Sequence, residues 1–62
     1  MSAAFDPVLV TIAEAARMLA LGRTSVYQLI STGELEVIHI GRAARIPVEA
    51  VHDLVLRRRA DR

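Results

Sequence analysis

The chain contains no cysteine and no lysine. Without cysteine there can be no disulfide, no thiolate zinc site and no cysteine nucleophile. A small secreted domain lacking such staples is unusual, so the expected setting is a reducing cytosol. No apolar run is longer than the four residues Met18–Leu21, far short of the roughly 20 residues of a membrane span or of a signal-peptide core. The three serines have no histidine–carboxylate pair at motif spacing, and there is no Gly-rich phosphate loop. Length is scarce as well, because 62 residues leave room for a single domain. A chain of about 60 residues buries only about 60% of the surface its unfolded form exposes. Its core is therefore thin, with little room for an enclosed catalytic cleft of about 300 Å³ or more. Catalysis has no candidate residue, and no cofactor is expected.

What is present is arginine. All eight basic residues are Arg, against seven acids, for a formal net charge of +1. Arginine suits bidentate contact with phosphate and guanine. Up to Gly22 there is one Arg against two acids; from Arg23 onward there are seven against five. A partner drawn by positive charge would meet the second half of the chain.

Residues 1–8 lack periodicity and read as a flexible lead. Thr11–Ile12–Ala13–Glu14 fits a capping box, and Ile12, Ala15, Ala16 and Leu19 fall on one helical stripe. The first helix is expected from about Ile12 to Ala20. After Gly22 a second stripe, Val26, Leu29 and Ile30, opposes Thr24, Gln28 and Ser31, and Gly33 ends that helix. Two short helices about three residues apart describe a helix-turn-helix. The period then changes to two. Leu35 and Glu36–Ile40 read as a strand with Ile38 and Ile40 on one face, which leaves His39 on the other, taken as the outer one. Gly41–Ala44 reads as a turn and Arg45–Ile46 as a short return strand. Pro47 suits the first turn of a third helix, carried by Val48, Val51, Leu54 and Val55 and fraying into Arg57–Arg59. The expected domain is 9–56, with a basic tail over 57–62 and a core of Leu19, Val26, Leu29, Ile30 and Ile46.

Thr11–Ala16, Leu19, Arg23, Val26–Tyr27, Leu29–Ile30, Gly33–Leu35, Ile40–Arg42 and Arg45–Pro47, taken together, resemble the excisionase-type helix-turn-helix family. These are small winged-helix proteins related to the DNA-binding domain of MerR-type regulators, and the match runs without a gap from Leu9 to about Leu54. The resemblance implies a mainly α fold with a small β-hairpin, ordered helix, helix, hairpin, helix. It also implies double-stranded DNA as partner, the second helix in the major groove and the hairpin, or wing, over the backbone and minor groove. Copies would associate on adjacent bent sites and assist an integrase in phage or mobile-element excision, in the nucleoid of a prokaryotic cytoplasm. Two other functions fit the residues: a small MerR-like transcriptional regulator, and a protein-interaction module that no longer binds DNA. The chain departs from the family pattern at Ala20, where a turn glycine is common, and at Gly22, where serine usually caps the second helix. Ala43 and Ala44 at the wing tip stand where a basic or aromatic residue is common, and His39 where Arg or Lys is frequent.

Candidate DNA-binding residues follow from this frame. Arg23, Thr24, Ser25, Tyr27 and Gln28 form the first turns of the second helix, where base edges and phosphates come within reach. Gln28 suits an adenine edge, Arg23 a guanine or phosphate, and Thr24 and Ser25 phosphates beside the helix N-terminus. Tyr27 either packs on the wing with its hydroxyl toward phosphate or serves packing alone. Arg42, Arg45 and His39 belong to the wing, with a surface pair to Glu34 or Glu36 as the competing role for Arg45. A merely solvated helix face is the bland alternative throughout. Glu49-x-x-His52 is half of a di-metal motif without its second copy, so no metal site is expected. Leu54, Val55 and Leu56, followed by Arg57, Arg58 and Arg59, suit docking to an integrase or a neighbouring copy. The same arginines could instead track phosphates, or simply form a solvated end.

Overall fold

Backbone amides near the start of the chain are satisfied by a short strand and a side-chain cap. In the computed structural model, which describes residues 6–61, Leu9–Val10 forms a two-residue strand, β1. Thr11 follows as a cap. Its hydroxyl accepts from the Glu14 amide at 3.0 Å, and the Glu14 carboxylate accepts from the Thr11 amide at 2.8 Å. This box opens helix α1, Ile12–Leu19. Ala20 ends it in the left-handed region, φ 57°, a conformation that costs a residue with a Cβ about 1–2 kcal/mol. Its N–H and that of Leu21 close the helix on Ala16 and Arg17 carbonyls. After Gly22, α2 runs Arg23–Ser31, and Gly33, at φ 83°, turns the chain out of it as expected of a glycine there.

Strands β2 (Ile38–Ile40) and β3 (Ala43–Pro47) form the hairpin, joined by Gly41–Arg42 with Gly41 at φ 62°. That positive φ is what a tight two-residue loop takes from glycine. The three-stranded antiparallel sheet has the order β1-β3-β2. Helix α3, Val48–Ala60, follows Pro47 directly, and its first amide, at Val48, donates to the Val8 carbonyl at 2.9 Å. Among the described residues no helix is long and apolar enough to cross a membrane. The result is a mainly α winged helix-turn-helix with the expected element order.

The core joins every layer: Val10 from β1, Ala15 and Ala16 from α1, Val26 from α2, Ile46 from β3, and Val51 and Leu54 from α3. The two alanines let α2 and α3 approach α1 closely. Of the expected core, Val26 and Ile46 are fully buried, while Leu19, Leu29 and Ile30 pack half-buried around the perimeter. Leu35 is also buried, but in the loop before the hairpin, its N–H donating to the Leu29 carbonyl at 3.1 Å. The strand expected from Leu35 therefore begins only at Ile38, because residues 34–37 carry the chain from α2 across the core. The turn is two residues, and the return strand is correspondingly longer.

Both expected end segments lie partly outside the described residues. Of the lead over 1–8, residues 1–5 lie outside the described chain, and Val8 is tied to α3 through its carbonyl. Over 57–62, residues Arg57–Ala60 are the last turn of α3, and Arg62 lies outside the described residues. Arginine at a helix C-terminus meets the negative end of the macrodipole, so the turn holds where the apolar stripe stops.

Candidate nucleic-acid interface

The N-terminus of α2 is open. Gly22 occupies the cap in extended conformation and offers no side-chain acceptor, and the first backbone bond runs from Val26 N–H to the Gly22 carbonyl at 3.3 Å. Among the described residues the amides of Arg23, Thr24 and Ser25 thus meet no acceptor, and they sit at the positive end of the helix dipole. Arg23, Thr24, Tyr27 and Gln28 are exposed, and Ser25 is half-buried. Tyr27 keeps 54% of its surface open, so its ring is not buried beneath the wing. At the other end of α2 the Ser31 and Thr32 hydroxyls donate to the Gln28 and Leu29 carbonyls at 3.0 and 3.2 Å.

Pairing across the hairpin fixes the faces of the wing. Ile38 pairs with Arg45, His39 with Ala44 and Ile40 with Ala43, while Ile46 pairs with Val10. Cross-strand partners share a face, and faces alternate along a strand. His39 and Ala44 therefore lie on the face of the buried Ile46, whereas Ile38, Ile40, Ala43 and Arg45 lie on the opposite one. The expectation of His39 on the outer face is corrected: it is on the core side, exposed because the hairpin extends past the core. Arg42 is exposed in the turn. Arg45 is half-buried, and its Nη1 donates to the Ala44 carbonyl at 2.8 Å; it pairs with neither Glu34 nor Glu36. The Glu14 carboxyl is held below the usual carboxylate range, first by the bond from the Thr11 amide, then by the Thr11 hydroxyl, and more weakly by Arg17 and Arg45.

The end of α3 is clasped to the loop after α2. Arg58 grips Glu34 with both arms, Nε to Oε2 at 2.8 Å and Nη2 to Oε1 at 2.9 Å, and Arg57 donates to the Glu34 carbonyl. The bond from Arg58 lowers the Glu34 carboxyl below its usual range and raises the Arg58 guanidinium. Arg59 engages no group among the described residues. Between α2 and α3 lies an open cleft of about 590 Å³ with Leu21 and Val55 in its walls.

A family model described as a helix-turn-helix domain matches residues 9–59. A Saccharopolyspora erythraea protein named "Probable excisionase" is 50% identical over 50 residues, covering 81% of this chain and 51% of that protein. A Streptomyces ambofaciens protein named "Excisionase" is 43% identical over 49 residues, 79% of each chain. This chain belongs to the excisionase-type helix-turn-helix family. A Mycobacterium tuberculosis protein named "Putative DNA-binding protein" is 38% identical over 47 residues, 76% of this chain and 60% of that one. The chain thus spans between half and two thirds of the Saccharopolyspora and Mycobacterium relatives. No solved structure matches it.

In this excisionase-type chain the fold gathers Arg23, Thr24, Ser25, Tyr27 and Gln28 on one helix, with Arg42 and His39 exposed on the wing. Of the residues expected for docking, it brings Leu54, Val55, Arg58 and Arg59 to one cleft and leaves Leu56 and Arg57 out of it. Leu54 is buried and, with Val55, lines the cleft, while Leu56 faces solvent at 60% exposure, so the apolar run does not act as one anchor. Arg57 and Arg58 are spent on Glu34. Sequence reasoning missed Leu21, 43% exposed at the mouth of the cleft, and Ile40, 60% exposed beside the wing turn. For Leu21 the signal was a large apolar residue in the turn between two helices.

Proposed function

We propose that this chain binds double-stranded DNA sequence-specifically and acts architecturally, as an excisionase. Copies occupy adjacent sites, bend the DNA and assist an integrase in site-specific excision. The observation that carries the reading is the open N-terminus of α2, where three amides without acceptors stand beside Arg23, Thr24 and Ser25 on a family scaffold shared with proteins named excisionase. Anions are favoured at such a helix end. Gln28 and Arg23 read base edges or phosphate, Tyr27 reaches backbone, and Arg42 with His39 meets the flanking groove; half-buried Arg45 adds positive charge to the wing. Bending a short site costs on the order of 1–6 kcal/mol, and several copies on adjacent sites share that cost. The chain contributes binding and DNA shape; strand cleavage belongs to the integrase.

The test is footprinting at an attachment site, combined with an integrase-dependent excision assay. Protection of tandem sites and excision that requires this chain support the reading. Protection confined to a promoter, with excision unaffected, moves it to a transcriptional regulator. That second reading draws on the mycobacterial relative, whose name refers to DNA binding and not to recombination.

A further inference from the structure

The cleft between α2 and α3 has an apolar floor that the fold leaves open. Leu19, Leu21 and Leu29 line one side, Leu54 and Val55 the other. Ser25 and Gln28, both assigned above to DNA, form the rim on α2, and Arg58 and Arg59 form the rim on α3. Glu34 beside it is already neutralised by Arg58, so among the described residues the unpaired charge on the rim is that of Arg59.

We infer that this cleft is the docking site for an amphipathic, acidic helix of a different protein, and that this helix and DNA exclude one another. The walls are two helices presenting side chains and no free strand edge, which suits a helix laid in a groove rather than an added strand. The floor calls for an apolar stripe, and Arg59 calls for acids beside it. DNA backbone has no apolar surface to fill such a floor. Outside the cleft, the helices of another copy present no apolar stripe. The exposed face of α1 offers Glu14, Arg17 and Met18, and that of α3 offers Glu49, His52, Asp53 and Leu56. Each is a single exposed apolar side chain without a stripe. A helix seated in the cleft covers Ser25 and Gln28, so its partner acts as an antagonist of DNA binding. The exclusion rests on the DNA reading proposed above; the docking does not.

The experiment uses the full chain labelled with ¹⁵N and two synthetic peptides of about 18 residues, long enough to be helical. One carries leucine at helical spacing flanked by glutamate, the other the same leucines flanked by lysine. The glutamate peptide should shift amide signals at Leu21, Ser25, Gln28, Val55 and Arg59, and should bind at least about tenfold more tightly than the lysine peptide. Val55→Glu, at a side chain that is 41% exposed, should abolish those shifts while leaving the remaining spectrum dispersed, and Leu21→Glu should do the same independently. Saturating glutamate peptide should weaken binding to a footprinted DNA site by at least about tenfold. Equal binding of the two peptides, shifts elsewhere on the surface, or indifference to both substitutions overturns the docking. Self-association of the chain alone that Val55→Glu abolishes also overturns it, by giving the cleft to a second copy. Simultaneous binding of peptide and DNA without mutual effect overturns the exclusion. A chain that takes the glutamate peptide in the cleft but binds no DNA leaves the docking standing and removes the function proposed above.

Discussion

Arg23 and Arg42 stand clear of the protein, on the first turn of α2 and at the tip of the wing, and engage no group among the described residues. Arg57 and Arg58 close on Glu34 from the end of α3. The two pairs are chemically the same and hold opposite positions in the fold. The difference teaches that arginine density is a poor guide to a nucleic-acid surface. Three consecutive arginines form the densest positive charge in the sequence, yet two of them serve to hold α3 against the loop that leaves α2. The isolated arginines are the ones available to a phosphate, where counterion release rewards them.

The largest effect comes from removing what both pairs depend on. Leu35 follows Glu34 and is 1% exposed beneath the start of the hairpin. Leu35→Ala should cost about 2–5 kcal/mol, comparable with the roughly 3–5 kcal/mol a core of this size supplies. Circular dichroism should show loss of most of the cooperative melt; a melt at an unchanged temperature would mean that the loop and the two helices are held by something else.

Next come the free arginines. Arg23→Ala and Arg42→Ala should each reduce the slope of log K against log salt by about 0.9, with stability changed by less than about 0.5 kcal/mol. Gln28→Ala, beside them, should relax preference at one base position by about 1–3 kcal/mol. Salt titrations of DNA affinity and selection of binding sites measure both. If Arg58→Ala lowers the salt slope as much as Arg23→Ala, the contrast between the two sets is broken.

The clasp should behave as an exposed ion pair. In the folded chain Arg58 holds the Glu34 carboxyl below its usual range. The pair's contribution is thus complete above the unfolded carboxyl's pKa of about 4.3 and is lost as pH falls through the lower folded value. Glu34→Gln should flatten that acid limb and leave DNA affinity for a single site unaltered. Melts between about pH 3 and 6, repeated near 1 M salt where the pair is screened, provide the measurement. The smallest effect is at Ala20, whose left-handed conformation glycine adopts freely. Ala20→Gly should raise stability by up to about 1 kcal/mol without moving either set of arginines, visible as a shift of the melt and none in DNA affinity.

The helices were legible because their periodicity and caps agree: Thr11 and Glu14 close as their spacing requires, and Gly33 turns the chain as glycine at that position should. β1 was not legible. Two residues are too few to show a period of two, and its partner, β3, lies more than thirty residues away in sequence. Leu35 looked like a strand residue because apolar residues before a hairpin usually are, although here it plugs the core from a loop. The face of His39 did not hinge on turn length, since a four-residue turn sets it opposite Ile46 and the two-residue turn sets it opposite Ala44, positions on one face. The sequence misleads there because the apolar pair Ile38 and Ile40 reads as facing inward. For the candidate site, the polar face of α2 was readable from the opposing stripe. The turn of Leu56 away from Leu54 and Val55 follows from the helix continuing through them, and the capture of Arg57 and Arg58 depends on Glu34, some twenty-three residues earlier.

The pairing of Val10 with Ile46 separates two kinds of amide in the hairpin. The root of the wing is closed by a strand more than thirty residues earlier in the sequence, so its hydrogen bonds form only when a long loop has closed, late in folding and at a high cost in loop entropy. The tip, where His39 meets Ala44 and Ile40 meets Ala43, is made by local pairing alone and lies outside the core. Hydrogen exchange should therefore find slow amides at Val10 and Ile46, opening with the whole domain, and fast ones a few residues outward, opening on their own. The wing can flex at its tip to follow the shape of whatever it touches while its base stays fixed to the fold.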